Sequence, residues 1–163
     1  MAGHHTITET ENQVAARLGN QKIDFDSLAA VSNIFRAANA VRNHLERSVL
    51  LPHNLTWTAF VVLWVVWIWE PIETKEVASE AGIAKATVTG VLNTLEGRGL
   101  VTRARGVEDK RQMYVSLTAE GRKMMKKLFP EFNAEESNVV SALSSAQKNS
   151  LAKLLRTVTA SCE

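Results

Sequence analysis

Residues 55–69, LTWTAFVVLWVVWIW, put an apolar side chain at nearly every position of a fifteen-residue run. A bilayer-spanning helix needs about 20 such residues, and Thr56 and Thr58 break up the start of this one, so it is read as a buried helix rather than a membrane segment. Trp57, Phe60, Trp64 and Trp67 recur at steps of three, four and three and share one helical face. Val61, Val62, Leu63, Val65, Val66 and Ile68 fill the others. A helix apolar nearly all round must be covered on all sides, so this one is expected at the centre of the fold. Pro52-His53-Asn54 precedes it, with Asn54 as the expected cap, and Pro71 closes it.

The rest of the chain has to supply the cover. Residues 24–50 carry Val31, Phe35, Ala38, Leu45 and Val49 on one helical side, a stripe interrupted by Arg42. After Pro71, residues 73–81 read as a short helix ended by Gly82, which takes a left-handed turn at low cost. A second helix runs over 84–97, with Val88, Val91, Leu92 and Leu95 facing inward and Gly97 and Gly99 stopping it. Residues 100–105 and 112–117 read as strands of a hairpin whose tip, 106–111, is charged. Thr118 caps a long helix through Lys127, which Pro130 is expected to kink or interrupt, with helical pattern resuming towards Leu143. Ser144 and Gln147 have capping-box spacing ahead of a last helix striped by Leu151, Leu154, Leu155 and Val158.

Two helices joined by a tight glycine turn are common, and a solvated polar face is the ordinary reading of the second one taken alone. Here Ala78, Gly82, Val88 and Val91 sit where such a pair must approach and bury side chains, which turns Lys85, Thr87, Thr89, Gly90 and Asn93 outward. Asn suits adenine, Thr offers a hydroxyl or a methyl group, and Lys meets phosphate or guanine. The hairpin that follows carries Arg103, Arg105, Lys110 and Arg111 against Glu108 and Asp109, a combination suited to tracking phosphates and to placing an arginine in a narrow minor groove. Asp109, two residues before Arg111, is expected to pair with it. Charge is distributed accordingly: residues 71–127 hold eleven Lys/Arg against seven Asp/Glu in a chain whose formal net charge is only +2.

Leu55-Thr56, Glu76-Val77-Ala78, Thr87-Val88-Thr89, Leu95-Glu96-Gly97-Arg98-Gly99-Leu100-Val101, Asp109-Lys110-Arg111 and Val115-Ser116-Leu117-Thr118-Ala119-Glu120-Gly121 occur in this order, and together they resemble the MarR family pattern from about Asp24 to Val158. The resemblance implies a mainly α (α+β) fold, a winged helix-turn-helix with a small β-hairpin wing and a dimerisation region built from N- and C-terminal helices. On that reading residues 1–22 are a flexible N-terminal segment, 23–52 a dimerisation helix, 53–117 the DNA-binding domain and 118–163 the C-terminal dimerisation helices. It also implies a homodimer on a near-palindromic duplex, with Lys85, Thr87, Thr89 and Asn93 on the recognition helix, Arg111 at the minor groove and Asp109 holding it. Gly90 and Thr94 depart from the pattern, because many relatives carry a basic residue there. This shifts phosphate affinity towards the wing.

Many members of that family answer to aromatic acids, phenols or acyl thioesters. A small aromatic or anionic effector could meet Trp57, Phe60, Trp64 and Trp67, with Arg42 receiving its charge. The competing reading makes the tryptophans core and pairs Arg42 with a carboxylate across the dimer. The single cysteine, Cys162, excludes an intramolecular disulfide framework and a cysteine cluster, which suits a cytoplasmic protein. His4 and His5 form a terminal pair of native or tag origin, and with His44 and His53 they give no metal-ligand spacing in the core. No cofactor is expected, and the sequence has no phosphate loop, nucleophile elbow or convincing carboxylate pair for an enzyme. A winged module kept for protein contact or architecture is the remaining alternative.

Overall fold

The computed structural model describes residues 5–162, so His4 lies outside the described residues. The chain divides into two compact units, Met1–Asn43 and His44–Glu163.

In the first unit, helix α1 (Ile7–Leu18) occupies the segment expected to be flexible. Its start is a capping box: Thr6 Oγ1 accepts from the Glu9 amide at 3.1 Å and Glu9 Oε2 accepts from the Thr6 amide at 2.6 Å. These bonds lower the Glu9 pKa. Helix α2 (Phe25–Leu45) begins after Asp24, which accepts from the Ser27 amide at 3.0 Å. Asn33 Nδ2 donates to Glu11 Oε1 at 2.9 Å and ties the two helices together. Between them is a cavity of about 260 Å³, lined by Val14, Phe25 and Leu28 and bordered by Glu11 and Arg36.

In the second unit, a π-helical turn (Glu46–Leu50) and a 3-10 turn (Leu51–His53) follow α2 directly. Asn54 does not cap the next helix. It takes the left-handed conformation at φ 55°, and Thr56 is the cap, accepting from the Ala59 amide at 3.2 Å. Helix α3 (Trp57–Trp69) is the centre of the unit: Val62, Leu63 and Val66 expose none of their surface. Its covering is incomplete at the C-terminal end, where Ile68 and Trp69 are exposed.

A short strand β1 (Ile72–Glu73), absent from the sequence reading, leads into α4 (Thr74–Ala81), and Gly82 makes the left-handed turn into α5 (Lys85–Gly97). Strands β2 (Val101–Arg105) and β3 (Met113–Leu117) form the expected hairpin, with Arg103 opposite Val115. Strand β1 adds to its other edge, giving an antiparallel sheet in the order β1-β3-β2 with Ile72 opposite Val115. Helix α6 (Ala119–Val139) is not interrupted at Pro130, one of the two outcomes expected there. Its position on α3 explains how: Phe132 stacks on Phe60 at 4.3 Å and Phe129 on Trp64 at 4.7 Å, so packing holds both sides of the proline in one helix. Helix α7 (Ser145–Ala160) begins at the expected Ser144–Gln147 capping box.

Three polar contacts fix α6 to its neighbours. Glu70, at the end of α3, accepts from the Leu117 amide at 2.6 Å and from Arg122 Nε at 2.8 Å. His44 pairs with Glu135, and His53 with Glu131 at 2.9 Å. The bond from His44, followed by one from Asn138, lowers the Glu135 pKa.

Gly121 accounts for the Leu-Thr-x-x-Gly segment. A Cβ there would lie 2.0 Å from the Leu100 carbonyl oxygen, the same oxygen that accepts from the Thr118 amide at 3.0 Å. No side-chain rotation relieves a clash with backbone. G121A is therefore expected to cost about 3 kcal/mol, the upper end of overpacking effects, measured by chemical denaturation. A loss below about 0.5 kcal/mol would show that α6 and the β2 entry do not need this approach.

Candidate nucleic-acid interface

Helix α5 is anchored on its inner side by Val88, Leu92 and Leu95, which expose none of their surface. That anchoring turns Lys85, Thr87, Thr89, Gly90, Asn93 and Thr94 to solvent, and all six are exposed. Ala84 precedes the helix and provides no side-chain acceptor, so the first-turn amides are left without a capping oxygen. Such an end carries partial positive charge and fits a phosphate. Thr89 Oγ1 donates to the Lys85 carbonyl at 2.9 Å, leaving its lone pairs and methyl group outward. Gly90 and Thr94 border an open cleft of about 380 Å³ shared with Asn54, Thr56 and Arg98.

Two of the residues read as DNA contacts have partners within the protein. Arg103 lies on β2 with its guanidinium turned to α5: Nε donates to Glu96 Oε2 at 3.0 Å, Nη2 bonds the same oxygen, and Nη2 also donates to Asn93 Oδ1 at 2.8 Å. Arg103 therefore ties the wing to the recognition helix. Asn93 keeps its amide donors for a base edge, while the oxygen that a bidentate adenine contact also uses already carries a bond. The Arg103 bonds lower the Glu96 pKa.

The wing tip is shaped by Asp109. Its Oδ1 accepts from the Arg111 main-chain amide at 2.8 Å, and its carbonyl accepts from the Gln112 amide at 3.1 Å. The expected Asp109–Arg111 connection is thus made through the backbone, because a carboxylate two residues back reaches an amide in an Asx turn. The turn also needs Gly106, where a Cβ would meet the Asp109 carbonyl oxygen at 2.6 Å. Arg105, Lys110 and Arg111 are exposed.

The residues considered for an effector behave differently. Trp57 and Phe60 pack with Phe132, and Trp64 and Trp67 with Phe129, so all four rings join α3 to α6. Arg42 is exposed on α2, which removes the premise of a buried cation within the chain. Sequence reasoning missed Arg98, whose guanidinium bonds the carbonyls of Asn54 at 2.6 Å and His53 at 3.2 Å. Its place between Gly97 and Gly99 was the available signal, because a side chain there has no competing neighbours.

The Arg103–Glu96 pair gives a pH-dependent expectation. A carboxylate whose folded pKa is depressed contributes stability above its unfolded pKa of about 4.3 and loses it as pH falls through the lower folded value. R103M is expected to melt below the wild type at pH 7, with the gap closing in thermal scans below about pH 4. A gap that stays constant down to pH 3 would show that the ion pair does not link β2 to α5.

Residues 55–113, from two residues ahead of α3 to the first residue of β3, match the model of the MarR family. The chain is 31% identical over 158 residues to the HTH-type transcriptional regulator YwaE of Bacillus subtilis, covering 95% of this chain and 92% of that one. Its fold is similar to Sco3205, a MarR family regulator of Streptomyces coelicolor solved in complex with DNA (TM-score 0.77, 21% identity, 85% and 89% of the two chains). It is also similar to BpsR of Bordetella bronchiseptica (TM-score 0.72, 24% identity, 80% and 98%), whose DNA binding is regulated by 6-hydroxynicotinic acid. With the recognition helix, the hairpin wing and a match over nearly the whole length of a relative, the chain belongs to the MarR family of DNA-binding winged helix-turn-helix transcriptional regulators.

Proposed function

We propose that the protein is a homodimeric repressor that binds a near-palindromic duplex through α5 and the β2–β3 wing and is released by a small aromatic or anionic effector. The observation that carries the DNA part is an uncapped α5 start beside exposed Lys85 and Thr87, followed in the chain by a wing with Arg105, Lys110 and Arg111 free of internal ion pairs among the described residues. These four cations per protomer bound the electrostatic contribution. If all of them meet phosphate in a dimer, the logarithm of affinity falls with the logarithm of salt with a slope of about −7.

Dimerisation rests on apolar side chains left in solvent. Leu154 on α7 is 65% exposed and Phe35 on α2 is 66% exposed, with Leu151, Leu155, Val158 and Val31 exposed beside them in the same stripes. Rows of this kind on helices are costly in water and suit an isologous two-fold contact. Two protomers related in this way would offer two recognition helices to two half-sites. An effector that binds better to a conformer with altered half-site spacing would lift repression. The regulation of BpsR by 6-hydroxynicotinic acid makes aromatic carboxylates the class to try first.

Fluorescence anisotropy on duplex DNA from upstream of the protein's own gene, beside a scrambled duplex, tests the DNA reading. Tight, salt-sensitive binding to the first and weak binding to the second are expected. R111A should reduce the salt slope by about 2, one contact per protomer. Aromatic carboxylates titrated into the complex should release it. Weak, equal binding to both duplexes would sink this assignment of the operator, and failure of every carboxylate would remove that effector class.

Sedimentation equilibrium tests the dimer. The wild type is expected at twice the chain mass and L154E/V158E at the monomer mass with its helix content retained. A wild-type monomer at micromolar concentration would contradict the proposal.

A further inference from the structure

The C-terminal end of the recognition helix is held from outside the helix. Arg98 is its last cap, between Gly97 and Gly99, the latter at φ 70°. Neither glycine would bring a Cβ within 4 Å of another atom, so their side of the chain supplies no packing to stiffen this end. The restraint comes from the guanidinium, whose Nη1 and Nη2 donate to two successive carbonyls, those of Asn54 and His53. The left-handed conformation at Asn54 lets both oxygens meet one planar fork.

That turn is held in its own right. The Asn54 amide donates to the Leu51 carbonyl at 2.9 Å, and the Leu55 amide to the Leu50 carbonyl at 3.0 Å. On its other side, the His53 imidazole meets Glu131 of α6 at 2.9 Å. One residue thus bonds α6 with its side chain and the recognition helix with its carbonyl. The connection lies at the surface of the unit, away from the buried positions of α3, so breaking it removes no core contact.

We propose that Glu131, His53 and Arg98 form a relay that positions the recognition helix: α6 holds the 51–54 turn through the imidazole, and the turn holds the end of α5 through the guanidinium. None of the three has to touch DNA. They act through the placement of Lys85, Thr87, Thr89 and Asn93, and they give a displacement of α6 a direct path to the DNA-reading element. The inference rests on α5 reading duplex DNA, which the wild-type arm of the following experiment tests separately.

The full-length protein is used to select a duplex from a random library, and its affinity for that duplex and for a scrambled one is measured by anisotropy. Failure of selection would count against DNA reading by α5 and remove the ground of the relay. With a selected duplex in hand, R98A, H53A and E131A should each lose about three- to tenfold on it, the size of one lost hydrogen bond. Losses on the scramble should be smaller. H53Q, which keeps a donor, should recover most of the affinity. R98A/E131A should be no weaker than R98A alone, because the two residues serve one connection. Losses that multiply in the double variant would overturn the relay. So would an equal loss on both duplexes with a shallower salt slope, the signature of Arg98 as a phosphate contact. If R98A does not fold, R98K, which retains a single donor group, takes its place in the cycle, and the same two outcomes decide.

Discussion

Val62, Leu63 and Val66 reach zero exposure because elements pack around α3 from several directions, and the winged unit is arranged to satisfy that helix. Helix α3 packs against α4 and α5, where Val77, Val88 and Leu92 are fully buried, and against α6, whose Phe132 and Phe129 stack on Phe60 and Trp64. A helix with apolar residues on nearly every face gains from being surrounded, at about 1.5–3 kcal/mol for each large side chain removed from water. This demand fixes which face of α5 turns inward. The outward face, with the side chains proposed to meet DNA, is left over from packing, so the candidate surface follows from the core.

Hydrophobic burial is not directional, and it leaves helices free to slide or rotate by small amounts. In this protein polar contacts at the ends of elements remove that freedom. Glu70 joins the end of α3 to the end of β3 and the start of α6, Arg103 joins β2 to α5, and Arg98 joins α5 to the turn ahead of α3. Each is half-buried or exposed, where an ion pair or hydrogen bond adds little to total stability. Their value is geometric. An error of an ångström in α5 is tolerable to the core and damaging to base readout, because bidentate contacts demand both distance and angle.

Much of this was legible in the sequence, and the parts that were not share a cause. Periodicity identified α3, α5 and α7, and caps identified the starts of α6 and α7, because those signals depend on residues within one or two turns of each other. The same local logic was available for α1, where Thr6 and Glu9 have the spacing used correctly at Ser144 and Gln147; the polar composition of the segment concealed it. Strand β1 escaped because two residues carry no periodicity, and only pairing with β3 makes them a strand. The internal partners of Arg103 and Arg98 escaped for a different reason. Their partners are Glu96, Asn93 and two main-chain carbonyls at 44 and 45 residues' distance, and no spacing rule joins a cation to a carbonyl so far away. Pro130 shows the reverse, a local signal for interruption that the aromatic packing on either side of it outweighs.

The separation of internal from free cations gives α5 and the wing different tasks. Helix α5 exposes one cation, Lys85, and Gly90 and Thr94 add no charge, so on the proposed DNA reading its contribution to affinity would come largely from the open amides of its first turn and from uncharged side chains. Those contacts are short-ranged and depend on base identity or on an oriented phosphate. The wing has three free cations on an Asx-braced tip, and their attraction is long-ranged, weakly dependent on sequence and screened by salt. With Arg103 bonded to Glu96 and Asn93, the wing's remaining exposed cations are Arg105, Lys110 and Arg111, two of them at its tip. On the proposed DNA reading, discrimination and salt-sensitive affinity would reside on separate elements joined by the Arg103 bridge, and a change in the angle between them would alter sequence preference before attraction to DNA.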